Sequence, residues 1–386
     1  MIEALKERFA ANYGESPSLV ATAPGRVEVI GNHTDYNQGP VIGAAIDRGV
    51  VVALKLNSEG GFRFSSGSAP VVVVDDPSVR QKGPRSWVNY PLGVYNALIR
   101  RGLIQQGGFD FSVESDVPAG AGLSSSAALE LATAVALRAA YGLNLDNAEL
   151  AVASREAENE FVGVPCGILD QGVSACGKAG QLVGIDCRKV SFSNIPLGEE
   201  YSIWIFNTHK KHSLVDSMYS KRHEECARAV EQLRTAGLDI ECLADLSPEQ
   251  FERSRCHLDE TVAKRAAHIV YEIDRVKRVE QSLLEGKTDE AGQLLFESHA
   301  SSRDLFENSV AELDYLVRIL QSMPDVLGAR LTGGGFGGAA MAIAGDAFSR
   351  TYAESVASAY RGYFGEAPEI IRCRIGDGAR VIESSI

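Results

Sequence analysis

Gly120-Ala-Gly-Leu-Ser-Ser-Ser-Ala-Ala-Leu129 places glycine, alanine or serine at eight of ten positions, and a largely apolar, alanine-rich run continues to Ala140. Glycine lets a backbone turn tightly and approach a ligand closely. The run behind it is rich in strong helix formers and free of breakers. Ser124, Ser125 and Ser126 each suit a helix N-cap. A loop of this kind opening a helix directs free N–H groups and a positive dipole end at one point, where a phosphate can sit. It is not a P-loop, because no Gly-Lys-Ser/Thr follows, and it is not a dinucleotide fingerprint. Taken alone, the same stretch also reads as a flexible linker or an ordinary helix cap.

Composition narrows the context. A chain of 386 residues accommodates two domains, and 45% hydrophobic with 23% charged residues is the balance of a soluble globular protein. A formal charge of −13 argues against a general nucleic-acid or membrane-surface binder, although a local nest of N–H groups with a metal still admits an anionic nucleotide. No apolar run of about 18 residues occurs, so no transmembrane helix is expected. The N-terminal Met1-Ile-Glu-Ala-Leu-Lys-Glu-Arg-Phe9 reads as an amphipathic helix rather than a signal peptide. Seven cysteines stand singly, without a Cys-x-x-Cys pair, so neither a zinc site nor a disulfide framework is expected. A reducing cytoplasm is the simplest setting, and the lack of an apolar heptad or a long hydrophobic edge favours a monomer.

Along the chain, residues 20–58 read as β segments around the polar, turn-forming loop Asn32-His-Thr-Asp-Tyr-Asn-Gln-Gly39. Strands are expected at 71–74, 109–114, 181–186 and 201–206, and helices at 87–99, 127–140 and 147–161. From about 210 the pattern becomes charged and helical, with Ile269, Ile273 and Val276 at helical spacing and charges between them. Helices are expected at 291–302 and 313–322, and strands return at 328–332, 339–344 and 370–374. The division expected from this shift runs near residue 190, giving segments 1–190 and 191–386.

Three further constellations carry chemistry. Ala23-Pro-Gly-Arg-Val-Glu-Val-Ile-Gly-Asn-His-Thr-Asp-Tyr-Asn37 gathers Arg26, Glu28, Asn32, His33 and Asp35 beside two glycines. Such a loop can grip several hydroxyls, with Asp35 accepting from two neighbours and His33 donating or accepting; it also reads as a hydrophilic turn bonding to its own backbone. Leu331-Thr-Gly-Gly-Gly-Phe-Gly-Gly338 has five glycines in six positions, more than a simple hairpin requires. Gly167-Ile-Leu-Asp-Gln-Gly172 sets Asp170 in an apolar, small-residue context. There it can be a base, a charge anchor for a reacting hydroxyl, or a helix N-cap. Glu158, on the helix expected at 147–161, does not stand out from its neighbours by pattern.

Together these segments resemble the GHMP kinase superfamily and, within it, the galactokinase family. The carriers are Pro24-Gly-Arg26 with its polar loop, Pro118-Ala-Gly-Ala-Gly-Leu-Ser-Ser-Ser-Ala127, and Gly333-Gly-Gly-Phe-Gly-Gly338, in that order. Trp87-Val-Asn-Tyr90, Ala157-Glu-Asn159 with Phe161-Val-Gly163, Gly167-Ile-Leu-Asp-Gln171, His212-Ser-Leu214 with Tyr219, and Glu297-Ser-His299 add likeness across residues 20–345. The resemblance implies an α+β, two-domain GHMP kinase fold, with a ribosomal-protein-S5-like N-terminal domain and a ferredoxin-like C-terminal domain. It implies ATP-dependent phosphorylation of a sugar at its anomeric hydroxyl, with Mg²⁺. By the same resemblance Asp170 is the catalytic aspartate and Arg26 its neighbour; Asn32, His33, Asp35, Gly167 and Tyr219 contact the sugar. Gly120, Gly122, Leu123, Ser124, Ser125, Ser126 and Trp87 attend the nucleotide, and Ser126 and Glu158 the metal. Those roles suit the residues: phosphoryl transfer needs positioning and charge neutralisation, and Mg²⁺ prefers oxygen ligands.

One departure is specific. The family pattern Gly-Arg-x-Asn-x-Ile-Gly-Glu-His-x-Asp-Tyr has asparagine where this chain has Glu28, and glutamate where it has Asn32. The resemblance assigns that glutamate to the sugar's 6-hydroxyl, so a neutral Asn32 is expected to lose about 1–2 kcal/mol of sugar binding. The expected enzyme is therefore a galactokinase that tolerates Asn32. The second reading is a related sugar-1-kinase for galacturonate, a C6-modified or deoxy hexose, or arabinose. A non-catalytic sugar sensor is the third, and the intact Gly122-Leu-Ser-Ser-Ser-Ala127 and Asp170 weigh against it.

Overall fold

The computed structural model describes residues 1–58, 60–118, 121–211 and 215–385. Two long antiparallel strands, β1 (Leu19–Ile30) and β2 (Val41–Asn57), are its spine. Both faces of β2 are covered, so Val50 to Leu54 are buried without alternation. The sheet is completed by β3 (Phe62–Ser66), β4 (Val72–Val74), β5 (Gly108–Ser115), β6 (Gln181–Asp186), β7 (Ser191–Pro196) and a last strand, Arg380–Ser384. All pairings in it are antiparallel except β3 with β5.

Helix α1 (Ile2–Tyr13) packs Leu5 and Phe9 on one side of this sheet. On the other lie α2 (Asn89–Arg100), α3 (Ser125–Ala140), α4 (Asn147–Glu156) and α5 (Leu169–Cys176). Every residue of α3 from Ala127 to Leu137 is buried, which explains its alanines: a helix surrounded by other elements needs small side chains all round. The helix expected at 147–161 is regular only to Glu156 and then widens into a π turn over Ala157–Val162. Such turns recur at functional positions, and this one carries Glu158. The expected start at Trp87 is taken by a 3₁₀ turn, Gly83–Val88, with Pro84 in its first turn.

The second sheet is four-stranded and antiparallel, in the order β11-β8-β10-β9, from β8 (Ser202–Lys211), β9 (Val326–Thr332), β10 (Gly337–Ala344) and β11 (Glu369–Cys373). Its period of two is clean. Ile203, Ile205, Met341 and Ile343 join Val27, Val29, Ile42 and Ala44 of the first sheet in one apolar cluster. Trp204, Phe206, Ala340 and Ala342 face the opposite way, onto α10 (Ala311–Leu320) and α11 (Arg350–Phe364). Helices α6 (Val215–Thr235), α7 (Pro248–Ser254) and α8 (Glu260–Leu284) form a further cluster around Phe251, Ile269, Ile273 and Phe306. Helix α9 (Thr288–Ser301) lies between α8 and β9.

The division expected near 190 falls inside the β6–β7 hairpin. β7 pairs with β6 along its whole length, and the last strand, β12, returns to pair with β1. Residues 191–196 and 380–384 therefore belong with the first sheet, and the change to the second comes at β8. The rise in charge read from about 210 tracks α6 to α9, whereas sheet membership is set by which ladder edge is free. Among the described residues no helix is long and apolar enough to cross a membrane.

Candidate active site

A cavity of about 180 Å³ opens where β1, the 32–35 loop, the start of α5 and the glycine loop before β10 meet; Arg26, Glu28, Asn32, His33, Asp35, Gly167, Asp170, Tyr219, Gly333 and Gly334 all line it. Residues from both sheets thus converge on one space.

At one end stands Asp170, in the first turn of α5. Arg26 donates from Nε at 2.7 Å and from Nη2 at 2.6 Å to its Oδ1, and Ser124 Oγ donates to Oδ2. Arg26 Nη1 also reaches the Gly122 carbonyl at 2.6 Å. The glycine/serine loop is drawn against β1, where Arg26 N donates to Leu123 O at 3.1 Å. A Cβ on Gly25 would stand 2.7 Å from that carbonyl, so this approach requires glycine. Ser124 occupies the N-cap position of α3 with φ +50°, yet makes no capping bond, because its hydroxyl goes to Asp170. The expectation of a serine cap is corrected here by a tertiary partner. Gly122, Leu123, Ser125 and Ser126 follow in the same loop and helix start; Gly120 and the His212–Leu214 segment lie outside the described residues.

Behind this end are two buried carboxylates, Glu130 and Glu158. Gln171 Nε2 bridges them, at 3.0 Å from Glu130 Oε2 and 2.6 Å from Glu158 Oε2, and the Ser126 hydroxyl also bonds Glu158. Burial, with Asp170 adding repulsion, raises the Glu158 carboxyl, and burial with the neighbouring Glu158 raises Glu130 well above the usual range. Glu130 Oε1 is buried without a partner. The set is all oxygen and short of positive charge, which suits a hard divalent cation. Among the described residues no cluster of three His, Cys, Asp or Glu could hold a metal alone.

At the other end the loop is held from three sides. Asn32 donates to Glu28 Oε1 at 3.0 Å and to the Gly333 carbonyl at 2.7 Å, and accepts from Asn308 Nδ2 at 2.7 Å. The two residues exchanged relative to the family pattern therefore meet. Arg330 completes the pair with a buried ion pair to Glu28 at 2.9 Å. His33 Nε2 donates to the Gly334 carbonyl at 3.1 Å and Nδ1 accepts from Tyr36 at 3.0 Å, so both ring nitrogens face protein. Burial depresses its pKa to about 3, leaving it neutral. Glu272 of α8 accepts from the backbone N–H of Gly31 and Asn32 at 3.2 and 3.3 Å, and from Ser298 at 2.6 Å. Burial opposes its charge, but Arg275, His268, Arg330 and the Ser298 bond hold its pKa down to about 2.

Asp35 points into the cavity over Gly167, where a Cβ would lie 2.0 Å from its carboxylate. Burial, with Glu28 and Asp170 nearby, raises its pKa to about 6. Tyr219 stacks obliquely on His33, ring centres 5.0 Å apart, and remains partly exposed. Trp87 lies apart: it packs edge-on against Phe64 at the margin of the first core and does not line this cavity. Sequence reasoning missed Glu130, Glu272, Asn308 and Arg330; only Glu130, a lone acid in an apolar helix, carried a local signal.

The comparisons agree with this geometry. The sequence matches the galactokinase galactose-binding signature over residues 7–56, the GHMP kinases N terminal domain over 89–178 and the GHMP kinases C terminal domain over 279–366. It is 37% identical over 382 residues to a galactokinase of Roseiflexus sp. (strain RS-1), covering 99% of this chain and 97% of that one. It is 37% identical to the galactokinase of Bacillus subtilis (strain 168), covering 99% and 100%. The crystal structure of Lactococcus lactis galactokinase complexed with galactose superposes with a TM-score of 0.91 at 34% identity, covering 98% of this chain and 99% of that one. With a full-length match at this identity, with the first and third motifs lining one cavity and the second bonded to Arg26 and Asp170 at its edge, the chain belongs to the galactokinase family of GHMP kinases.

Proposed function

We propose that this protein transfers the γ-phosphoryl group of ATP to the anomeric hydroxyl of galactose, giving galactose 1-phosphate and ADP. The observation that carries the reading is the Arg26–Asp170 pair: it stands at the start of α3 and opens into the same cavity as Asp35 and Gly167. Asp170 accepts a hydrogen bond from the reacting hydroxyl and takes its proton as that oxygen bonds to the γ-phosphorus and the bond from the γ-phosphorus to ADP breaks, with ADP as the leaving group. Arg26 fixes Asp170 and faces the phosphoryl group in transit, where its charge counts most in the transition state. The loop from Gly122 to Ser126 cradles the phosphates with N–H groups and the end of the helix dipole. Ser126 and Glu158 would hold Mg²⁺, which when bound neutralises phosphate charge. Asp35 accepts from adjacent sugar hydroxyls, Tyr219 covers the sugar, and Gly167 leaves room for both; His33 serves mainly to fasten the 333–334 loop.

Asn32 does not favour a C6-altered sugar. Its amide protons go to Glu28 and Gly333 and its oxygen to Asn308, so it holds the loop, and Glu28 keeps a carboxylate at the cavity wall. Sugar and ATP are the only partners the site requires, and one chain supplies every residue in it, so a monomer suffices. Seven free cysteines suit a reducing cytoplasm. The test is ATP consumption against galactose, galacturonate, N-acetylgalactosamine, 2-deoxygalactose, arabinose, fucose and glucose, with Asp170→Asn as the blank. Galactose should be turned over well above the others. A better rate with a C6-altered sugar would overturn the galactose assignment, and sugar binding without turnover would make the chain a sensor.

A further inference from the structure

We infer that Glu28 is a specificity residue of the sugar pocket: its free carboxylate oxygen accepts a hydrogen bond from one sugar hydroxyl remote from the carbon that is phosphorylated. The inference rests on the sugar-kinase reading above and adds a residue to it.

Glu28 is only 6% exposed, and what exposure it has faces the cavity it lines with Asp170 and Asp35. Its Oε1 is fixed by Arg330 Nη1 at 2.9 Å and by Asn32 Nδ2 at 3.0 Å. No described residue donates to Oε2. Two bonds on one oxygen lock the side chain's rotamer, so the other oxygen is presented in a set position. That oxygen has no donor among the described residues and is open to the cavity, where a sugar hydroxyl can supply one.

The strand defines the direction. Arg26 and Glu28 are two residues apart on β1 and both line the cavity, so their attachment points are separated by about 7 Å along the strand. Arg26 marks the reacting end, because it holds Asp170. Glu28 is one same-face step away, on the side of Asn32, Gly333 and Gly334. A hexose whose anomeric hydroxyl meets Asp170 therefore offers Glu28 a hydroxyl from elsewhere on the molecule. A sugar acid placing a carboxylate there would meet like charge and no proton to share. Asn32 does not take this role, since its Oδ1 already accepts from Asn308 Nδ2 inside the protein and carries no charge.

The experiment measures kcat/KM for galactose and for its 2-, 3-, 4- and 6-deoxy derivatives, in the wild-type protein and in Glu28→Gln. The glutamine retains an oxygen for Arg330 and Asn32 but no carboxylate for the sugar. At one of the four positions the wild-type preference for galactose over the deoxy sugar should be about tenfold or more, as for a charged hydrogen bond. In Glu28→Gln that preference should fall to within about threefold, while the other three ratios hold. If Glu28→Gln does not fold, Glu28→Asp is read in the same way: it keeps charge opposite Arg330 and withdraws the free oxygen by one methylene. A loss of kcat/KM that is equal for all five sugars would make Glu28 purely structural and overturn the inference. Failure of the wild-type protein to phosphorylate galactose would instead overturn the functional reading itself.

Discussion

The two ends of the cavity are built on opposite plans. At the phosphate end the working groups come mostly from a short stretch, Gly122 to Ser126, with Arg26, Asp170 and Glu158 added. There three carboxylates, Glu130, Glu158 and Asp170, have one arginine between them, Arg26. At the sugar end the loop 32–35 is fastened by residues from 240 to about 300 positions away, and Glu28 and Glu272 are matched by Arg330 and Arg275. One end carries more carboxylates than cations. At the other, the ion-paired Glu28 and Glu272 already hold the loop in shape, and Asp35 and the free oxygen of Glu28 are left facing the cavity. Substitutions at the first should therefore damage turnover with little effect on stability, and substitutions at the second should damage stability and sugar affinity together.

The largest effect is expected from Asp170→Asn, which removes the acceptor of the reacting hydroxyl. Steady-state assays should show kcat reduced by about 10³-fold, with the melting temperature nearly unchanged. Equal loss of kcat and stability would erase the contrast between the two ends.

Next comes Glu272→Ala. It leaves the buried Arg275 without its partner and the Gly31 and Asn32 N–H groups without an acceptor, a loss of about 3 kcal/mol in denaturant unfolding. Galactose KM should rise while ATP KM holds. An unchanged unfolding midpoint would mean the sugar end is not prestressed by this network.

Gly335→Ala should cost about 2 kcal/mol, because φ is +78° and the new Cβ would stand 2.3 Å from the Asn308 carbonyl. Displacing Asn308 should loosen Asn32, so galactose KM should increase here too, which circular dichroism melts and assays can compare in one preparation.

The smallest effect is a pH dependence. Asp35 must be ionised to accept from two hydroxyls, and its pKa is raised to about 6. A raised acid loses its charge as pH falls through that value, so galactose KM should be flat above about pH 7 and rise about tenfold by about pH 5. Asp35→Asn should show a high KM without this slope. A KM that worsened on the alkaline side would contradict the assignment.

The glycine/serine loop and its helix were readable because their signal is local: small residues, then a helix with apolar residues on every side. Asp170 was readable for a similar reason, being an acid among Ile168, Leu169 and Gly172. Its partners were less so. Ser124 looks like any helix cap until the fold places Asp170 beside it. In α8, Glu272 lies at helical spacing beside the Ile269, Ile273 and Val276 stripe, and it is buried where the backbone N–H groups of Gly31 and Asn32 meet it, a partner no spacing within the helix could name. The exchange of glutamate and asparagine at 28 and 32 looked like a loss at one position. In three dimensions the two exchanged residues are in contact, Asn32 Nδ2 donating to Glu28 Oε1.

The sequence by itself determined the helix behind the glycine/serine loop, the fold class and the kinase chemistry, because each depends on residues close together in the chain or on motifs in fixed order. The tertiary structure decided which charges neutralise one another, which strand completes which sheet, and which carboxylates face the cavity. Those outcomes depend on contacts between segments hundreds of residues apart, where spacing along the chain carries no information about distance in space.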